Sequence, residues 1–72
     1  MHVVIETLGQ IRACMLYDEN RYRGMIYNIR GLEPTGESDI FFELRKYRVR
    51  MKDGSSPYIL WLKPGEIKER WL

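Results

Sequence analysis

Ile40-Phe41-Phe42-Glu43-Leu44-Arg45-Lys46-Tyr47-Arg48-Val49-Arg50-Met51 is the stretch on which the fold turns. Ile40, Phe42 and Leu44 are apolar at even positions, whereas Tyr47, Val49 and Met51 are apolar at odd ones. Period two is the signature of a strand. A strand cannot exchange its buried parity without an extra residue, so the pattern predicts a β-bulge near Arg45-Lys46. A bulge bends its strand, and bending is how a small sheet curls towards a barrel.

Upstream, Val3 to Leu8 is rich in β-branched residues and too short for a helix. After Gly9-Gln10, the run Ile11 to Tyr17 alternates. Ile11, Ala13, Met15 and Tyr17 share one face, and Arg12 and Cys14 the other. Asp18-Glu19-Asn20 is turn-prone, and Tyr22 to Ile29 reads as the returning strand of a hairpin. Gly31 to Asp39, with Gly31, Pro34, Gly36, Ser38 and Asp39, reads as the one clear loop.

Downstream, Asp53-Gly54-Ser55-Ser56 is a turn signal, and Pro57 suits a strand start. Tyr58 to Leu62 is a continuous apolar strand, expected to be central with Trp61 in the core. Residues 63–72 fit two patterns. Pro64 suits a first helical position, and Glu66 with Arg70 and Ile67 with Trp71 are spaced i,i+4. Alternatively, Pro64-Gly65 turns the chain into a last strand with Ile67, Glu69 and Trp71 on one face. The short helical turn is preferred. The expected architecture is a single domain, residues 1–72, mainly β. It is a small five-stranded antiparallel barrel or strongly curved sheet, SH3-like or OB-like, with a short C-terminal helical turn. An open antiparallel sheet that pairs in a homodimer is the main alternative.

Composition narrows the function classes. A chain of 72 residues has room for one domain, and at that size folding buries only about 60% of the exposable surface. The core is therefore thin, and a second copy or a standing partner would help. A hydrophobic share of 44% argues against disorder. The net charge is +2, mildly basic, so any case for nucleic acid depends on where the charges sit. Cys14 is the only cysteine, which rules out an internal disulfide and fits a reducing compartment. The start Met1-His2-Val3-Val4-Ile5-Glu6 lacks the basic and long apolar regions of a signal peptide. No apolar run approaches the ~20 residues of a membrane-spanning helix. The cytoplasm is the expected location.

Catalytic and metal chemistry find little to work with. Nucleophilic catalysis needs a nucleophile, a base and an orienting group, and the chain offers one His, His2, and one Cys, Cys14. A zinc-type site needs three or four ligands at set spacings. Cys14 is expected to be a small half-buried strand residue. The carboxylates fall in turns or beside basic residues, and no spacing selects an acid–base pair. No catalytic residue, metal ligand or cofactor is assigned.

Basic residues interleaved with aromatics stand out instead. Arg21-Tyr22-Arg23 opens the third strand, followed by Tyr27 and Arg30; in the fourth, Lys46, Arg48, Arg50 and Lys52 share one face. Four cations along about 20 Å of strand would form a positive stripe able to track a phosphate backbone, with tyrosines for base stacking. Arg suits bidentate phosphate contact better than Lys. The same charges also keep a sheet face soluble and protect an edge, and Glu43, Glu66 or Glu69 would partly neutralise them across strands. Trp71, next to Leu72, is placed either to close the barrel end or to sit in a protein interface.

A basic-aromatic strand, the Asp53-Gly54 turn, an apolar strand and Leu62-Lys63-Pro64-Gly65-Glu66 near Trp71 follow one another in order. This order resembles the single-strand DNA binders of the positive-cofactor transcription coactivator type, over less than half the chain. No residue role is carried over from it. The expected function is a non-enzymatic binding module for nucleic acid with little sequence specificity. Its binding residues would be Arg21, Arg23, Tyr27, Arg30, Lys46, Arg48, Arg50 and Lys52. The alternative is a protein-binding adaptor or inhibitor, such as a phage or plasmid product that blocks a host factor, with Trp71 and Leu72 in its interface.

Overall fold

The computed structural model describes residues 1–72. Seven strands follow one another: β1 (His2–Leu8), β2 (Ile11–Asp18), β3 (Arg21–Tyr27), β4 (Ile29–Asp39), β5 (Leu44–Met51), β6 (Tyr58–Leu62) and β7 (Ile67–Trp71). They form a four-stranded sheet in the order β3-β2-β1-β7 and a three-stranded sheet in the order β4-β5-β6. Neighbours pair antiparallel except β1 and β7, which run parallel from Val3↔Ile67 to Thr7↔Trp71. No helix is long and apolar enough to cross a membrane.

Local chemistry sets the corners. Glu19 and Asn20 lie at φ 50° and 65° between β2 and β3, the two left-handed residues that a type I′ hairpin requires. Asn28, at φ 63°, is the single residue between β3 and β4. There the chain leaves the four-stranded sheet and enters the three-stranded one, and Ile29 beyond the corner is fully buried.

One core lies between the sheets. Val3, Ile5, Cys14 and Ile26 enter it from the first sheet, and Ile29, Val49 and Leu62 from the second. Leu16, Leu32, Tyr47, Met51, Leu60 and Ile67 pack around them. β1 alternates buried and half-buried residues as far as Thr7, so it is covered on one side and open on the other. Thr7, the one buried polar side chain, accepts a hydrogen bond from Arg12 Nε at 3.1 Å.

The mainly β expectation agrees with these strands, and several finer expectations are corrected. The sheets do not close into a barrel: β3, β7, β4 and β6 are all edges. There are seven strands rather than five, because Gly31 to Asp39 belongs to β4 and Ile67 to Trp71 form β7. Pro34 and the glycines are tolerated there because β4 is an edge, with register breaks between Ile29/Gly31 and Pro34/Ser38. The bulge expected at Arg45-Lys46 is not on β5, which pairs with β6 without a break from Arg45 to Val49; at this level the extra residues are on β4, where Pro34 to Ser38 lie opposite Tyr47 to Arg45. The parity change has another cause. Ile40 to Glu43 form the tip of the β4–β5 hairpin, and the strand begins only at Leu44.

The C-terminal helical turn is likewise replaced by β7. Glu66 N donates to Lys63 O at 3.1 Å, with Gly65 at φ 90°. Pro followed by a left-handed Gly is what a type II turn asks for, and this turn sends the chain back beside β1. β6 is an edge rather than a centre, so it buries only alternate residues. Leu62 is in the core, while Trp61 faces outward and is 41% exposed. Leu62→Ala is expected to lower stability by about 2–5 kcal/mol, and Trp61→Ala by less than about 1 kcal/mol. Urea unfolding followed by far-ultraviolet circular dichroism compares the two.

Candidate functional site

Strand β5 separates its side chains as period two demands. Tyr47, Val49 and Met51 pack at the core, while Lys46, Arg48 and Arg50 point to the outer face. The stripe read from the sequence therefore exists for these three residues, but two of them are paired. Lys46 Nζ lies 2.9 Å from Glu37 Oε2. Arg50 donates from Nε and Nη2 to the two carboxylate oxygens of Glu33, both at 3.2 Å, and from Nη1 to Gly54 O at 2.7 Å. The Arg50 hydrogen bond, with the charges of Arg50, Arg48 and Arg30, holds the Glu33 carboxyl below the usual carboxylate range. The pair therefore favours the folded state above the ordinary Glu pKa, and that contribution is lost as pH falls through the lowered one. Arg48 alone has no ion-pair partner on this face. Trp61 and Ile59 lie opposite Lys46 and Arg48 on β6, and Lys46 Nζ is 5.8 Å from the Trp61 ring centre.

The neutralising acids are not those the sequence suggested. Glu43 sits at the hairpin tip, Glu69 lies on β7, and Glu66 contacts the N-terminal ammonium and the Lys63 amide. Glu33 and Glu37 do the work because β4 is a strand beside β5.

The remaining cations and aromatics are dispersed. Arg21 and Arg23 are exposed on β3, the edge of the other sheet, where Tyr22 meets Tyr17 edge to face and Tyr17 stacks on His2 at 4.9 Å. Tyr27 faces outward from the same sheet, beside Ala13 and Met25. Arg30 and Lys52 meet instead in a cleft at one end of the molecule, with Arg12 and Trp71. The eight residues grouped from sequence thus lie in three places: the outer face of β5, the β3 side of the first sheet, and this cleft.

Two apolar surfaces were not recognised from sequence. On the outer side of the four-stranded sheet, Leu8, Ile11, Ala13, Met15, Met25 and Tyr27 line a groove of about 200 Å³ together with Glu6 and Leu72. The Ile11–Tyr17 face is thus the solvent side of β2, and Cys14 is wholly buried rather than half-buried. The second surface is the β4–β5 tip, where Ile40 is 89% exposed and Phe41 85%. Phe42 N donates to Asp39 Oδ1 at 3.1 Å, and the Phe41 and Phe42 rings meet edge to face at 4.8 Å. The tip is thus an ordered turn that presents apolar side chains. The parity break at residues 40–44 was its signal in the sequence.

No group of three His, Cys, Asp or Glu residues converges to hold a metal. Comparison with protein-family models, curated proteins and solved structures finds no match. The chemistry of this chain must be read from its surfaces.

Burial pushes the Cys14 thiol up from 9.0 to about 11. The thiolate is therefore favoured by unfolding, and stability should fall as pH rises from the unfolded value towards the folded one. Two measurements check this. Cys14 in the native protein should alkylate slowly at pH 8 and rapidly in urea. The stability lost between about pH 9 and 11 should be smaller in Cys14→Ala than in wild type.

Proposed function

We propose that this chain is a non-enzymatic protein-binding module, of the adaptor or inhibitor kind, that engages its partner with the hairpin tip Ile40-Phe41-Phe42. The observation that carries the reading is the near-complete exposure of Ile40 and Phe41 on an ordered turn. These side chains add nothing to the core, and water is their least favourable environment. A projecting apolar tip is shaped to fill a pocket, and aromatic anchors in pockets carry much of the energy of protein interfaces. Asp39 and Glu43 flank the tip with Arg45 beside them, and Glu37 is paired with Lys46. The fitting partner surface is therefore an apolar pocket, and the remaining negative charge disfavours an anionic bilayer.

The triple variant Ile40→Ser, Phe41→Ser, Phe42→Ser tests the reading, because the tip lies outside the core. From nuclease-treated lysate of the source cells, wild type should retain a protein partner that the variant loses while its thermal midpoint is unchanged. Equal capture by both proteins would sink the proposal. So would loss of every partner on nuclease treatment, or binding of wild type to phosphatidylserine vesicles that depends on the tip.

Nucleic-acid binding along β5 is the second reading, and the unpaired Arg48 beside Trp61 and Ile59 is what favours it. Its support is thinner because Glu37 and Glu33 occupy Lys46 and Arg50. Under the protein-binding reading, Arg48→Glu with Arg50→Glu leaves partner capture intact. Under the nucleic-acid reading, wild type binds oligonucleotides with an affinity that falls steeply as salt rises, and this variant does not. Filter binding at two salt concentrations distinguishes them; little difference between wild type and variant is the expected result.

A further inference from the structure

Three cations gather in the end cleft without a carboxylate among them. The cleft has a volume of about 440 Å³, and its polar wall is built from Thr7, Gln10, Arg12, Arg30 and Lys52, with Trp71 at its side. It forms where Gly9 and Gln10 of the β1–β2 turn meet Ile29 and Arg30 at the start of β4 and Lys52 just beyond β5. Arg12 Nη1 donates to Arg30 O at 2.8 Å, Arg30 Nη2 to Lys52 O at 3.2 Å, and Lys52 Nζ to Gln10 O. With the Arg12–Thr7 bond, every acceptor that these cations reach is a neutral oxygen. Glu33 is held by Arg50, and Asp53, which follows Lys52 in the chain, accepts from the amide and hydroxyl of Ser55 at 2.8 and 2.6 Å; neither makes an ion pair with the three cations. None of the molecule's salt bridges involves Arg12, Arg30 or Lys52.

Stitching the two sheets together explains the hydrogen bonds but not the charge. Neutral donors would serve as well, without holding three like charges in one cleft. Each cation uses only part of its donor capacity on carbonyl and hydroxyl oxygens, which leaves N–H groups for an anion of several oxygens. Beside them, Arg12 Cζ lies 5.5 Å from the centre of the Trp71 ring, and Trp71 is 68% exposed. The Arg12 guanidinium lies over one face of this ring, and the other face offers a stacking surface for a flat ring.

We infer that this cleft binds a phosphoryl group attached to a flat heteroaromatic ring, the chemistry of a nucleotide. The phosphate oxygens take the free donors of Arg12, Arg30 and Lys52, and the base lies on Trp71. Free mononucleotides and residues of a single strand share this chemistry. The cleft is separate from the hairpin tip and from the outer face of β5.

The test uses the Trp61→Phe protein, in which Trp71 is the sole tryptophan fluorophore. It is titrated with adenosine monophosphate, adenosine, inorganic phosphate and a short single-stranded deoxyoligonucleotide. Adenosine monophosphate should quench Trp71 and bind about tenfold or more tighter than adenosine or phosphate alone. Arg30→Gln with Lys52→Gln should weaken that binding by about tenfold or more, at an unchanged thermal midpoint. Lys52→Gln alone, which leaves the Arg12–Arg30 O and Arg30–Lys52 O hydrogen bonds in place, should weaken it in the same direction, so the test survives if the double variant unfolds. A strand that binds more tightly than the mononucleotide, with the same sensitivity to these variants, identifies nucleic acid as the source. A strand that binds no better identifies the free nucleotide.

No saturable binding of adenosine monophosphate or of the strand in the millimolar range overturns the inference. So does binding that is indifferent to Arg30→Gln and Lys52→Gln, or inorganic phosphate that binds as tightly as the nucleotide. Serine substitutions at residues 40–42 should leave nucleotide binding unchanged, so failure here and failure of the hairpin-tip reading are separable.

Discussion

Two sheets of four and three strands can bury one face each, and in this chain only seven apolar side chains become buried. That limit governs the rest of the molecule. A hydrophobic share of 44% is more than such a core can absorb, so the surplus lies outside, on the outer face of β1 and β2 and at the β4–β5 tip. The packing frame is rigid in pattern, because each strand must offer alternate residues inward. What the frame leaves outside is free to differ from place to place. One outer face is charged, another apolar, and the end cleft is cationic.

The parts of the fold legible in the sequence are those where one physical signal acts alone. Glu19-Asn20 between alternating runs could only be a tight turn, and the outward cations of β5 were visible from parity. The misreadings occurred where two structures satisfy the same residues. Pro64-Gly65 is compatible with a helix start and with a type II turn, and the choice was made by β1, whose open side accepts β7 sixty-odd residues away. Gly31 to Asp39 has the composition of a loop, yet an edge strand tolerates the same residues. In β2 the more apolar parity, Ile11, Ala13, Met15 and Tyr17, is the solvent side, while Cys14 and Leu16 face the core from the parity that also holds Arg12, so the alternation marked a strand without marking its buried face.

The reading of the site inherited these errors in a traceable way. Once residues 31–39 are taken as a loop, the acids that neutralise the stripe have no position, and the stripe looks freer than it is. Glu33 and Glu37 reach Arg50 and Lys46 only because β4 runs antiparallel beside β5. Similarly, Arg12, Arg30 and Lys52 are far apart in sequence and belong to three different elements. Only the sheet change at Asn28 brings them together, and no local pattern announces it. Charges can be counted from a sequence, but their neutralisation is a property of strand order.

The parallel pairing of β1 with β7 also bears on how the molecule comes into being. β1, β2 and β3 form a local meander that can assemble as soon as they leave the ribosome, whereas β1 must wait for β7 before its second edge is covered. Contacts so distant in sequence form late and slow a fold. Throughout that interval β1 offers a bare, β-branched edge, a template for pairing with other chains. Arg70, which on β7 pairs with Glu6 of β1, arrives together with the strand that removes this hazard. Nascent chains are thus most exposed to misassembly in the interval before β7 has emerged, and a variant that lacks β7 would remain in that state.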